Sequence, residues 1–309
     1  MITSVFKKST PLNYSLVVIL ILVFFFMFQI RETSWINSYF TIFQKVSLLC
    51  FIFASFFMVN FIVKKNGLSK DNGYAIFFYL LFLLFFPTVF NNSNVVYANF
   101  FILLALRRLI SLQSLKASKE KIFDASFWIF VASLFQFWSV LFLILVFISI
   151  IFHVSRDYRN WVLPFIALLA VSIIFFMISL MFNIDAAKFF QERAVIDFRI
   201  DYFKDNYENG ALSIYAAVVV FFVFSMLTTL SNRPQIVHTS YKKVVACFFI
   251  AVLVYIISPD KSNDLLLFSI APLAMMAASH VEYMQQKLNN EIVFYVLILC
   301  SLFTFFSQL

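Results

Sequence analysis

Long apolar runs, each bounded by a few charged or polar residues, dominate this chain. The first of these runs covers 13–30, and the second covers 39–63. A run of about 20 apolar residues matches the roughly 30 Å of hydrocarbon that a helix must cross. Apolar residues within the runs do not alternate with polar ones, as they would in the strands of a membrane barrel. The pattern therefore predicts an all-α, polytopic helical membrane protein.

The spacing of the runs predicts about eleven transmembrane helices, within a range of about nine to twelve. The apolar stretch 122–154 is too long for one crossing at about 1.5 Å per residue, so we expect two short spans hinged near 136–139. A single tilted helix there would invert the orientation of every later span. The remaining expected spans are 13–30, 39–63, 73–90, 95–110, 161–183, 211–230, 244–257, 265–281 and 291–308.

The polar segment 184–210, between two of these spans, has an amphipathic pattern. Its apolar side chains recur at helical steps, from Phe189 through Ile196 to Tyr207. Charged residues such as Lys188 project elsewhere. One apolar stripe with a charged back is typical of a helix that lies in the membrane interface. We therefore predict an interfacial amphipathic helix in this outer, periplasmic segment.

The composition indicates a single transmembrane domain, 1–309, because hydrophobic residues make up 63% of the chain and charged residues 12%. A large soluble domain is thereby excluded. The net charge of +8 does not indicate nucleic acid here, since basic residues in short loops set the orientation of membrane helices. The eleven-span arrangement puts 16 of the 23 Lys and Arg residues in inner loops and 6 in outer loops. This bias predicts a cytoplasmic amino terminus.

Glu32 is the first candidate for chemistry, since polar groups beside hydrocarbon are costly and need a reason. It lies next to Arg31 in the first outer loop. A carboxylate there could act as a catalytic base, with Arg31 binding substrate. It could equally be a solvated charge at a helix end.

A second candidate group follows Pro259 and consists of Asp260, Lys261 and Asp264. Two carboxylates that flank an ammonium could bind a phosphate or a divalent cation, or could form an ordinary polar turn. Lys45, inside the second span, could reach outward along its stem. It could also point into a polar cavity toward the acidic residues, and we count it among the substrate-binding candidates.

The three histidines, His153, His238 and His280, fall at predicted inner span ends or in inner loops. They share no metal-ligand spacing, so we predict solvated side chains and no metal site. The chain has three glycines and none of the short catalytic or phosphate-binding motifs. The residues identify no cofactor.

As a whole, the chain resembles an uncharacterised family of inner-membrane proteins from Bacteroidota, of similar length. Parts of it also resemble the GT-C glycosyltransferases, which use polyprenyl-phosphate sugar donors. The similar parts are 94–100 with Arg107-Arg108, 122–154 with 156–159, and 264–274. The second resemblance implies that Glu32 is a base or a metal ligand and that Lys261 meets the lipid phosphate. The first implies a multi-pass protein of the bacterial inner membrane.

Three functions remain open at this point. The first is a GT-C-like transferase that moves sugar from a polyprenyl-phosphate lipid at the periplasmic face, in envelope glycan or glycoprotein biogenesis. The second is a non-catalytic scaffold subunit of an envelope complex for secretion, motility or glycan export, with partner subunits in the membrane. The third and weakest is a transporter of small solutes or lipids, since no glycine lies in the interior of a span, where it could break the helix.

Overall fold

The computed structural model describes residues 5–31, 38–198, 206–233, 235–259, 261–283 and 287–309. Within those ranges the chain forms twelve α-helices: α1 Pro11–Ile30, α2 Tyr39–Lys65, α3 Tyr74–Leu83, α4 Ser93–Ile110, α5 Ser118–Phe135, α6 Leu143–His153, α7 Arg159–Met181, α8 Ala186–Arg193, α9 Asn206–Thr229, α10 Gln235–Ile257, α11 Leu267–Tyr283 and α12 Lys287–Ser307. Short 3₁₀ helices adjoin several of them, at Pro87–Phe90, Ser111–Ser114, Phe137–Phe142, Leu230–Asn232 and Asn263–Leu266. The prediction of an all-α protein is confirmed.

Eight helical stretches in the described ranges are long and apolar enough to cross a membrane, and the protein is a multi-pass membrane protein. Two further apolar stretches, Tyr74–Leu83 and Phe137–His153, are shorter. The eight long stretches are Pro11–Ile30, Tyr39–Lys65, Ser93–Ser114, Arg159–Met181, Asn206–Thr229, Val237–Ile257, Asn263–Tyr283 and Leu288–Ser307.

The starts of two helices show how the sequence sets local boundaries. Thr10 precedes α1 and its side chain accepts a hydrogen bond from the Asn13 amide at 3.4 Å, while Pro11 occupies the first helical position. Asn92 caps α4 in the same way, and accepts from the Val95 amide at 3.3 Å. These caps satisfy amides that have no partner within the first helical turn.

α11 is the central helix of the bundle, and every residue from Leu267 to Val281 is buried. It packs against α3, α9 and α10. Small side chains such as Ala274 and Ala277 allow neighbouring helices to approach closely. The hydroxyl groups of Tyr215 on α9 and Ser269 on α11 lie 2.7 Å apart and share a hydrogen bond. Polar contacts of this kind join helices inside the bundle without exposing polar groups to lipid.

The predicted interruption within 122–154 is confirmed. α5 ends at Phe135, and Gln136 adopts an extended conformation with φ −130° and ψ 104°. The chain then continues through the 3₁₀ helix Phe137–Phe142 into α6. The Gln136 side-chain amide donates to Ser258 Oγ at 3.4 Å, which ties the interruption to the end of α10.

The prediction of one amphipathic helix across 184–210 is wrong in its middle part. α8 ends at Arg193, and residues 194–198 are not helical. Residues 199–205 lie outside the described ranges. Ile196 therefore does not continue a helical stripe from Phe189.

Tertiary hydrogen bonds explain why the helix stops. Trp138 Nε1 donates to the Val195 carbonyl at 3.0 Å. The Asp197 amide donates to the Ile257 carbonyl at 3.2 Å. These bonds satisfy backbone groups that a continuous helix would have bonded internally.

The two ends of the bundle can be identified by the two chain termini. At the amino-terminal end, the Gly73 amide donates to the Phe6 carbonyl at 2.8 Å. At the carboxy-terminal end, Arg31 Nη1 donates to the Gln308 carbonyl at 3.0 Å. α1 joins the two ends, and a helix of its length spans about 30 Å.

Candidate functional site

The connection between α3 and α4, residues 84–92, organises the carboxy-terminal end of the bundle. Gln29 Nε2, from α1, donates to the Phe90 carbonyl at 3.0 Å. Gln308 Nε2 donates to the Phe85 carbonyl at 3.0 Å. Side-chain amides from the end of α1 and from the carboxy terminus thus satisfy carbonyl groups that follow the α3 helix.

Asp264, a predicted substrate-binding residue, is buried against this connection. Its carboxylate accepts hydrogen bonds from Thr88 Oγ1 and, at 3.2 Å, from Asn92 Nδ2. A carboxylate can be buried only when such bonds replace its water. Since Asn92 also caps α4, Asp264 holds the 3₁₀ helix Asn263–Leu266 against the start of α4.

Lys45 and Arg31 lie at the same end of the bundle. Lys45 Nζ donates to Asn91 Oδ1 and, at 3.4 Å, to the Phe90 carbonyl. Lys45 therefore extends toward the 84–92 connection. Arg31 makes the bond to the Gln308 carbonyl that marks this end.

Lys261 takes part in a different contact. Its ammonium donates to the Asp197 carbonyl, and so holds the non-helical segment 194–198 against the end of the bundle. Glu32 and Asp260 lie outside the described residues. Of the predicted site residues, the structure thus brings Lys45 and Asp264 to one connection, and it assigns Arg31 and Lys261 to separate contacts nearby.

A polar cavity of about 260 Å³ opens beside Asp264. It lies where the interruption after α5 meets α8 and the loop after α10. Asn92, which donates to Asp264, lines one side of it. The other polar lining residues include Asn94, Gln136, Trp138, Glu192, Arg193 and Ser262.

Arg193 brings a positive charge to the lining of this cavity, and contacts on two sides hold its position. Its Nη1 donates to the Leu134 carbonyl at 2.7 Å. Its guanidinium carbon lies 3.9 Å from the centre of the Phe189 ring. The sequence pattern does not single out Arg193, because it falls at the same helical steps as the apolar residues Phe189 and Ile196. The available signal was its position at the end of a short helix, with Gln136 and Trp138 as polar residues within an apolar run.

An apolar groove of about 400 Å³ lies on the lateral face of the bundle, between α5 and α7. α8 covers one end of it. Its lining is mostly aromatic and aliphatic, and includes Phe130, Leu134, Val171, Ser172, Phe175 and Phe190. Because α7 exposes most of its surface, this groove faces the region that lipid would occupy.

The groove and the polar cavity are neighbours. Phe137 lines both. Phe190 lines the groove and Arg193, one turn later on α8, lines the cavity. An apolar groove that ends at a cation and several amides fits an amphiphile. The tail of the amphiphile would lie in the groove, and its polar group would lie at Arg193.

The prediction of solvated histidines is wrong for His280, which is buried in α11. Its Nδ1 shares a hydrogen bond with Ser225 Oγ, and its ring contacts Phe222. The central position of α11 is the reason, since its last turn is still covered by α9. His153 and His238 are half-buried. Among the described residues, no three His, Cys, Asp or Glu side chains form a group that could hold a metal ion.

Comparison with known proteins identifies the family of this chain but indicates no activity. The sequence profile of a family of unknown function (DUF6427) matches residues 6–309. The chain belongs to this family. No curated protein and no solved structure matches it.

Proposed function

We propose that this member of a family of unknown function transfers a sugar from a polyprenyl-phosphate donor, in the biogenesis of envelope glycans or glycoproteins. The reaction would take place at the carboxy-terminal end of the bundle, on the periplasmic side of a bacterial inner membrane. One observation carries the proposal: the polar cavity at Arg193 and the lateral apolar groove share Phe137 and are both bordered by α8.

This pairing suits a lipid-linked donor because such a donor has two unlike parts. A polyprenyl chain is apolar and would occupy the groove between α5 and α7. Its phosphate is anionic and needs a cation with fixed donors, and Arg193 offers a planar fork of N–H groups for this purpose. Binding along the lateral face would let the donor enter from the membrane without passing through water.

The proposed topology has eleven crossings. The eight long stretches account for eight of them. α3 with its 3₁₀ continuation, α5, and the stretch Phe137–His153 account for the other three. The excess of Lys and Arg in the loops at the amino-terminal end then assigns that end to the cytoplasm.

The proposed chemistry uses residues at the periplasmic end. Glu32 removes the proton from the acceptor hydroxyl, whose oxygen bonds to the anomeric carbon of the sugar. The bond between that carbon and the donor phosphate oxygen breaks, and Arg193 stabilises the polyprenyl phosphate that leaves. We assign substrate binding to Arg31, Lys261 and Asp260, as the sequence predicts, while Lys45 and Asp264 hold the 84–92 connection in position.

The lipid part of the proposal is tested by filling the groove. Ser172 is an exposed groove residue on α7, so Ser172→Trp adds bulk with little effect on packing. We expect it to abolish most labelling of the purified protein, in nanodiscs, by a photoreactive polyprenyl phosphate. The matched control is Ser15→Trp, at an exposed serine of α1 outside the groove. Equal labelling of the two variants would contradict the proposal.

The catalytic part is tested separately in the native host. Glu32→Gln should alter lipid-linked or surface glycans while the protein still inserts at its normal level. Glu120→Gln is the matched control, because Glu120 is an exposed acidic residue in the first turn of α5, at the other end of the bundle. An unchanged glycan profile for Glu32→Gln would contradict the transferase activity. If polyprenyl labelling still depended on the groove, the protein would bind the lipid without transferring sugar.

A scaffold subunit of an envelope complex is the second candidate. Its support is that the described candidate site residues bond to the bundle itself: Lys45 and Asp264 hold the 84–92 connection, and Lys261 holds the Asp197 carbonyl. Purification in a mild detergent should then recover a partner in fixed stoichiometry. Recovery of a lone monomer that labels with the polyprenyl probe would exclude this candidate.

A further inference from the structure

A basic cavity of about 390 Å³ lies at the amino-terminal end of the bundle, opposite the proposed transfer site. It is formed where α2 and α4 end and α5 begins. Its lining includes four cationic side chains, together with polar groups from the 3₁₀ helix Ser111–Ser114. The cations are Lys65, Arg107, Arg108 and Lys121.

Among the described residues, only one of these four cations is paired with a carboxylate. Arg108 forms an ion pair with Asp124 at 2.8 Å. Within the part of the chain that the structure describes, Lys65, Arg107 and Lys121 form no ion pair within 4.0 Å. Three positive charges thus share one concave space, where their mutual repulsion favours an added anion.

The cations are held in place by contacts that leave their charge unneutralised. Lys121 Nζ donates to the Ser111 carbonyl and to Ser114 Oγ, both at 2.7 Å. Arg107 and Lys65 both lie over the ring of Phe61, with distances of 4.6 Å and 5.1 Å to its centre. These contacts orient the charges without a counter-ion.

Orientation in the membrane does not account for this arrangement. That role requires only that basic residues lie on one side of the bilayer. Lys116 and Lys242 lie at the same end of the bundle, are exposed, and do not line the cavity. Membrane orientation therefore does not explain why four cations line one cavity.

We propose that this cavity binds a phosphate group, carried either by an anionic lipid headgroup or by a soluble phosphate compound. Arginine and lysine together suit this anion, because the guanidinium gives paired hydrogen bonds and the ammonium gives compact charge. The side-chain amide of Gln113, whose oxygen accepts a hydrogen bond from Ser240 Oγ at 2.7 Å, adds N–H donors to the same lining. Basic pockets between the ends of membrane helices are typical binding sites for lipid phosphates.

The position of Phe61 predicts different binding for a lipid phosphate and for a soluble phosphate. It is exposed and lies one turn before Lys65 on α2, toward the apolar middle of that helix. A lipid phosphate in the cavity could extend its acyl chains along this ring, whereas a soluble phosphate would leave the ring uncovered. The lipid should therefore bind more tightly than free phosphate.

The test measures thermal unfolding of the full chain in a neutral detergent, with phosphatidylglycerol or inorganic phosphate as the added probe. We expect phosphatidylglycerol to raise Tm. Lys65→Gln combined with Arg107→Gln should weaken the apparent affinity for it about thirtyfold. Lys116→Gln combined with Lys242→Gln removes the same charge from the same end and should retain the full response.

Inorganic phosphate distinguishes the sources. A rise in Tm with phosphatidylglycerol alone supports a lipid headgroup, and a rise with both probes supports a site that also accepts free phosphate. The proposal is overturned if neither probe raises Tm, or if both double variants lose the response equally. Should the Lys65 and Arg107 double variant fail to fold, Lys65→Gln alone applies the same test at the more exposed residue.

Discussion

α11 and α7 both belong to stretches long enough to cross a membrane, but their surroundings are opposite. Every residue of α11 from Leu267 to Val281 is buried. On α7, side chains such as Leu169 are exposed, in this case by 63%. The exposed helix is nevertheless the more hydrophobic of the two.

The difference shows what hydropathy measures in a membrane protein. Side chains that face lipid must be apolar, because hydrocarbon offers no hydrogen bonds. A helix surrounded by other helices can carry Ser269, Ser279 and His280, since its neighbours supply the partners. A high apolar content therefore indicates contact with lipid more than burial in protein.

The largest effect is expected when a charge is placed on the lipid-facing side of α7. Leu169→Asp should cost about 3 kcal/mol of insertion free energy, because the carboxylate would lie near the middle of an exposed span. The measurement is the fraction of chains inserted, with reporter fusions after residue 185. Leu169→Ala is the control and should insert normally. Normal insertion of the aspartate variant would mean that this face of α7 does not contact lipid.

The second test adds volume instead of charge. Ala277→Phe in α11 should reduce the free energy of unfolding by about 2 kcal/mol, since a fully buried position has no space for a ring. Leu169→Phe enlarges an exposed side chain of α7 and should change stability little. Thermal unfolding in detergent compares the two. Similar losses for both variants would remove the distinction between the helices.

The third test concerns one interhelical hydrogen bond of α11. Tyr215→Phe removes the hydroxyl that bonds to Ser269, and should cost about 0.6 kcal/mol, the typical value for such bonds in membrane proteins. Tyr158→Phe, at a residue 72% exposed outside the spans, is the control. A loss no larger than that of the control would show that packing alone holds α9 to α11.

The smallest effect is expected for an ion pair outside the spans. Lys119 and Asp157 lie 3.4 Å apart, and both are well exposed. A hydrogen bond from the Arg159 amide, followed by the bond from Lys119, lowers the pKa of Asp157 below its ordinary value. The contribution is therefore present at neutral pH and lost as pH falls through that lowered pKa.

Lys119→Gln should accordingly leave Tm at pH 7 almost unchanged, because exposed ion pairs contribute little. The same variant measured at pH 3 should differ even less from the parent protein. A large loss at pH 7 would show that the loops contribute as much to stability as the interior of the bundle.

Several features followed from local pattern alone. The apolar runs predicted the helices, since a chain in hydrocarbon must satisfy its backbone hydrogen bonds internally. The interruption near 136–139 followed from length, because 122–154 exceeds one bilayer crossing. The end of α8 did not follow, because Trp138 and Ile257, far away in the sequence, bond to the segment after Arg193.

The candidate site residues, too, could be predicted only in part from the sequence. Sequence alone indicated that Asp264 lies just before a span and that Lys45 lies inside the second span, since charge and hydropathy are local properties. Only the tertiary structure decided that both contact the 84–92 connection, that Arg193 borders a polar cavity, and that Lys65, Arg107, Arg108 and Lys121 share another. The physical reason is that helix packing sets which span ends meet, and packing depends on contacts between residues distant along the chain.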